Sequence, residues 1–121
     1  EPTFSWKNGV AFTTMEDAEK LTKAERQELF KSPQPEPVIT AEMRQAAYDN
    51  FGTTDDHGMQ LTGIAQDQNG KEWYVVKNSW GDTNDHKGFL YMSKAYVQYK
   101  TTAFVVNKKG VPNGVMKKIG M

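Results

Sequence analysis

"HGMQLTGIAQDQNGKEWYVVKNSWGD", residues 57–82, decides the reading of this chain. Two runs that read as strands, 58–66 and the aromatic and β-branched 71–78, flank the tetrapeptide Asp67-Gln68-Asn69-Gly70. Asn-Gly suits the positive-φ positions of a hairpin turn, so the stretch predicts two antiparallel strands. The midpoint between His57 and Asn78 falls within that tetrapeptide. Simple pairing about it sets His57, at the start of one strand, almost opposite Asn78, at the end of the other.

That juxtaposition has a chemical reading. An amide oxygen accepts the N–H of one imidazole nitrogen, fixes the tautomer and leaves the second nitrogen free for proton transfer. Hydrogen-bonding reach is about 2.6–3.2 Å. A neutral asparagine adds no charge, which suits an anionic partner such as a thiolate. Trp80, two residues further on, is placed to lie over the bond and exclude water. The plainer reading is also open. A histidine at a strand start is most often solvated, and an asparagine at a strand end most often belongs to a turn.

Working outward, residues 1–13 read as extended or looped, with Phe4, Trp6, Val10 and Phe12 loosely alternating. Residues 14–31 read as a helix containing the capping box Thr22-Lys23-Ala24-Glu25. "SPQPEP", residues 32–37, cannot continue it, because proline lacks the N–H and restricts its predecessor. Thr40 caps a second predicted helix over 41–51, with Met43, Ala47 and Phe51 on one face. Residues 88–92 and 101–106 read as further strands, 93–100 as a helical turn between them, and 112–121 as a short helix. Helices first and an antiparallel sheet afterwards predict an α+β fold. The expected division is a helical and loop segment 1–55, a sheet 56–107 and a tail 108–121.

Composition narrows the function classes. Fifteen Lys plus Arg balance fifteen Asp plus Glu, which argues against a purely electrostatic nucleic-acid binder. Lys100, Lys108, Lys109, Lys117 and Lys118 make the tail basic, and five scattered lysines read as solubility rather than a nucleic-acid surface. The absence of cysteine rules out a disulfide framework or thiolate metal site within these residues. "DTNDH", residues 82–86, offers Asp82, Asp85 and His86 but lacks calcium-loop spacing, so it reads as a solvated turn. No cofactor and no metal are expected. No apolar run reaches the roughly 20 residues of a spanning helix. The first residue is Glu1, which fits a processed product or a fragment.

"DHGMQ" at 56–60, "NSWG" at 78–81 and "GFLY" at 88–91 stand in the order found in the C-terminal half of papain-like cysteine peptidases, which this chain resembles. Within that group "LTKAER" (21–26), "NDHKGFLYMS" (84–93) and "KKGVPNGV" (108–115) are similar to bleomycin hydrolases, also called aminopeptidase C. The resemblance spans roughly the last 100 residues and, more loosely, "FSWKNGVA" (4–11).

The resemblance implies a barrel-like sheet, His57 as general acid–base, Asn78 as its orienter and Trp80 as the shield. It implies peptide substrates, thiol-dependent hydrolysis and a cytoplasmic location. It also implies a partner: an N-terminal half carrying the nucleophilic cysteine, just after an oxyanion-hole glutamine. A homo-oligomer is a further expectation, a membrane association is not. Family members often end in an arm that enters their own cleft. Only nine residues follow Pro112 here, which leaves that exopeptidase restriction open. The rival expectation is a non-catalytic papain-like relative that binds or forms oligomers.

Overall fold

A computed structural model describes all of residues 1–121. The hairpin is its centre. β3 (Gln60–Gln66) pairs antiparallel with β4 (Glu72–Lys77), and Gln66 faces Glu72. The turn is therefore the five residues 67–71, centred on Asn69. Asp67 organises it: its carboxylate accepts from Trp73 Nε1 and from the N–H groups of Asn69 and Lys71. Those bonds, Trp73's foremost, hold the carboxyl below the usual aspartate range. Gly70 takes the positive φ that its place in the turn requires. Thr62 bulges from β3, and its Oγ1 donates to Val75 O at 3.1 Å.

β5 (Phe89–Ser93) lies antiparallel against the other edge of β4. The N-terminal segment completes the sheet: β1 (Phe4–Ser5) and β2 (Val10–Ala11) form a small hairpin, and β2 runs parallel to β5. The order is β1-β2-β5-β4-β3. The sheet is thus mixed, not purely antiparallel, and open at β1 and β3, not a barrel. It also begins well before residue 56, because two residues of an early segment suffice to extend β5.

α3 (Lys94–Lys100) follows β5 directly, capped by Ser93 Oγ accepting from Tyr96 N. Ala11, Val76, Leu90, Met92, Tyr96 and Val97 form the core between sheet and helix. Burial pushes the Tyr96 phenol well above its ordinary pKa, and the carboxylates of Glu1 and Asp56 push it further, so it stays neutral.

Glu36, in the proline-rich linker, ties that linker to the sheet. Its Oε2 accepts from Thr13 N, Thr13 Oγ1 and Ser93 Oγ, and its Oε1 pairs with Lys71. Only 6% of the side chain is exposed. Burial alone would raise its pKa; the bonds from Lys71, Ser93 and Thr13 outweigh that and hold it below the ordinary glutamate range.

Several elements differ from expectation. Residues 14–31 are not one helix but a 3₁₀ turn (Ala18–Lys20) and α1 (Lys23–Leu29). The capping box is the reason. Thr22 and Glu25 exchange both of their bonds, and an N-cap residue takes extended backbone, so Thr22 starts a helix and cannot continue one. α2 (Ala41–Asp49) ends before Phe51, which takes φ 62 and lies exposed. Of the expected apolar face only Ala47 is buried. Residues 101–106 form no strand. They pair with neither open edge of the sheet, and Phe104, Val105 and Val106 are exposed. The tail forms α4 (Asn113–Lys118). No helix is long and apolar enough to cross a membrane.

One consequence of the topology concerns β3. Leu61 and Ile64 face Val76 and Tyr74 across the ladder, and directly opposed residues share a face of the sheet. Val76 is only 1% exposed, yet Leu61 and Ile64 are 42% and 67% exposed. The core-facing side of this edge strand is uncovered.

Candidate active site

Asn78 follows β4 immediately and is 3% exposed. Its N–H donates to Gly88 O at 3.1 Å, which ties it to the loop entering β5. Gly88 has φ +84, and a Cβ there would lie 2.7 Å from Gly81 O. The loop can close on Asn78 only with glycine at this position.

The Asn78 amide is oriented by its neighbour. Oδ1 accepts from Ser79 N at 2.7 Å. Because Ser79 N is a donor, the atom facing it is the oxygen, not the nitrogen. The same Oδ1 lies 2.7 Å from His57 Nε2. His57 Nε2 therefore carries the proton and donates, and Nδ1 is the nitrogen left open. The Asn78 Nδ2 has no acceptor within the chain.

His57 arrives by a different route from the one spacing suggests. The turn is centred on Asn69, so the register sets Gln60 opposite Lys77. His57 lies off the end of the ladder, beyond β3, and reaches Asn78 past the strand end rather than across it. That register carries Trp80 alongside His57. The two rings stack with centroids 5.3 Å apart and planes at 26°.

Phe4 and Trp6 complete the cluster. Both meet Trp80 edge-on, with centroids at 6.0 Å and 5.2 Å. Their alternation is visible in the sequence, but nothing in it links them to Trp80. Asp82, Asp85 and His86 do not come together as a metal-binding group. His86 instead faces the N-terminal hairpin, its Nε2 3.0 Å from Asn8 O.

The arrangement presents an imidazole with a fixed tautomer, one face covered and one nitrogen open. It can accept a proton at Nδ1 and return it.

Comparison with known proteins bears on the family of the chain. The model of the Peptidase C1-like family matches residues 18–121. Mouse bleomycin hydrolase is 35% identical over 63 residues, half of this chain and 14% of that protein. Aminopeptidase G of Lactobacillus delbrueckii subsp. lactis is 38% identical over 53 residues, 44% of this chain and 12% of its own. Drosophila melanogaster cathepsin L1 is 46% identical over 37 residues, 31% of this chain and 10% of its own. The chain thus spans only a small part of the length of these relatives. With the family model matching residues 18–121, most of its length, the chain belongs to the Peptidase C1-like family.

Proposed function

We propose that this chain supplies the histidine–asparagine side of a thiol-dependent aminopeptidase site of the bleomycin hydrolase kind. The observation that carries the reading is the 2.7 Å contact between His57 Nε2 and Asn78 Oδ1. With no cysteine among these 121 residues, the nucleophile comes from a part of the protein outside them.

In this reading His57 Nδ1 takes the proton of that thiol, giving an imidazolium–thiolate pair. The thiolate attacks the peptide carbonyl carbon. As the C–N bond breaks, Nδ1 gives its proton to the departing amine, and a thioester remains. Water then attacks the thioester carbonyl and yields a proton to Nδ1. The C–S bond breaks, the acid leaves, and the thiolate–imidazolium pair is restored. Asn78 holds the ring throughout and, being neutral, does not oppose the thiolate. The uncovered core face of β3 supports the same reading, since it leaves apolar surface for the cysteine-bearing part to cover. A cytoplasmic location belongs to the same proposal.

The test uses the complete protein. Hydrolysis of an aminoacyl fluorogenic amide should be lost on thiol alkylation and in the His57→Ala variant. Unchanged hydrolysis in folded His57→Ala protein would overturn the role given to His57, and no thiol-dependent hydrolysis by the parent protein would favour a non-catalytic relative.

A further inference from the structure

We propose that Trp6 is a positioning residue for the His57–Asn78 pair: it holds Trp80 flat over the His57 imidazole and so keeps water off the bond to Asn78. The role rests on the proposed function, but its geometry stands independently.

The contacts form a short chain. Trp80 stacks on His57 with centroids 5.3 Å apart. Trp80 is itself 47% exposed, so burial alone does not hold its ring. Trp6 meets it edge-on at 5.2 Å with planes at 77°. This is the geometry in which the positive ring edge of one aromatic meets the negative face of another. A hydroxyl also links the Trp6 ring to the Trp80 main chain: Trp6 Nε1 donates to Thr83 Oγ1 at 2.9 Å, and Thr83 Oγ1 donates to Trp80 O at 3.1 Å. Trp6 thus grips both the ring and the main chain of Trp80.

The N-terminal hairpin that carries Trp6 is clamped to the same loop. Asn84 Nδ2 donates to Trp6 O at 3.1 Å, and His86 Nε2 lies 3.0 Å from Asn8 O. Gly9 permits this approach: its φ is +62, and a Cβ there would lie 2.1 Å from the His86 ring. Tyr91 N donates to Gly9 O at 2.8 Å and fixes the hairpin on β5. The hairpin is a buttress whose inner surface ends on Trp80.

The physical consequence is local. A ring free to swing away lets water compete for the His57 Nε2 proton and for Asn78 Oδ1. The preferred tautomer is then less firmly held, and Nδ1 spends less time aimed at a reacting atom.

The test compares Trp6→Ala and Trp6→Phe in the complete protein, with thermal melts to confirm folding. The first readout is exchange of the His57 Nε2 proton with water, followed by NMR on histidine-labelled protein and assigned by its absence in His57→Ala. Trp6→Ala should speed exchange about tenfold or more, and Trp6→Phe, which keeps a ring edge, should restore much of the protection. The second readout is hydrolysis: kcat should fall while KM changes little. Acceleration of less than about threefold in Trp6→Ala overturns the proposal, as does an effect on KM alone. If Trp6→Ala does not fold, Thr83→Val decides by the same threshold, because it removes the shared hydroxyl and leaves both rings. Proton exchange is read without substrate. An inactive protein therefore still reports the buttress, and retained hydrolysis in His57→Ala defeats the functional reading without touching it.

Discussion

Asn78 Oδ1 accepts two protons at once, from Ser79 N and from His57 Nε2, each at 2.7 Å. The first bond decides which end of the amide faces the histidine. The second transmits that choice to the imidazole, and with it the identity of the open nitrogen. A backbone N–H one residue away thereby selects the tautomer of a side chain twenty-one residues distant.

The first prediction follows from that division of labour. In the complete protein, His57→Ala should lower kcat by at least about 10²–10⁴-fold, the usual worth of general acid–base catalysis. Asn78→Ala should cost less, because Trp80 still confines a ring that has lost its amide. Steady-state hydrolysis of an aminoacyl reporter by both variants measures the two losses, and equal losses would contradict the assigned roles.

Gly88 should tolerate no side chain. At φ +84, with Gly81 O 2.7 Å from the Cβ position, Gly88→Ala combines backbone strain with a collision. The expected destabilisation is about 1–3 kcal/mol from strain alone. The carbonyl that anchors Asn78 N moves with it, so activity should fall alongside the melting temperature. A variant as stable and active as the parent would remove the need for glycine here.

Glu36 predicts a pH dependence of stability with a definite sign. Its folded pKa is lowered from the ordinary 4.5, so its contribution is fully present above that value and lost as pH falls through the folded pKa. Glu36→Gln should cost about 2 kcal/mol at neutral pH, typical of bonds to a charged group. The gap between parent and variant should narrow as pH falls below 4.5. Denaturant melts across that range check it; a gap that widens in acid refutes the assignment.

Leu61 offers a test of the uncovered core face. A substitution at a truly exposed site typically changes stability by no more than about 0.5 kcal/mol. If the rest of the peptidase covers β3, Leu61→Asp in the complete protein should cost well above about 2 kcal/mol by burying a charge. A surface-like value in equilibrium unfolding would show that this face stays open.

Much of this molecule was legible in its residues before any coordinates. The Asp67–Gly70 turn, the Thr22–Glu25 capping box, the Thr40 cap and the strand-forming runs around the turn are local matters, settled within a few residues by backbone preference and side-chain hydrogen bonding. So was the pairing of His57 with Asn78, since a hairpin brings its own ends together whatever else the chain does. Contacts between distant segments were not legible in this way. Two residues of the first dozen pair in parallel with β5, the Glu36 carboxylate gathers Thr13, Lys71 and Ser93, and Trp6 props Trp80, because those surfaces meet only once the sheet has assembled. Residues 101–106 show the converse: their apolar, β-branched pattern suits a strand, but a strand exists only where another edge supplies its hydrogen bonds. Even the register of the central hairpin was decided by the folded structure, by a five-residue turn organised through Asp67 and Trp73 and a bulge stitched by Thr62; those side-chain bonds, not the spacing, set Trp80 opposite His57 in the register and leave Asn78 to reach the imidazole past the strand end.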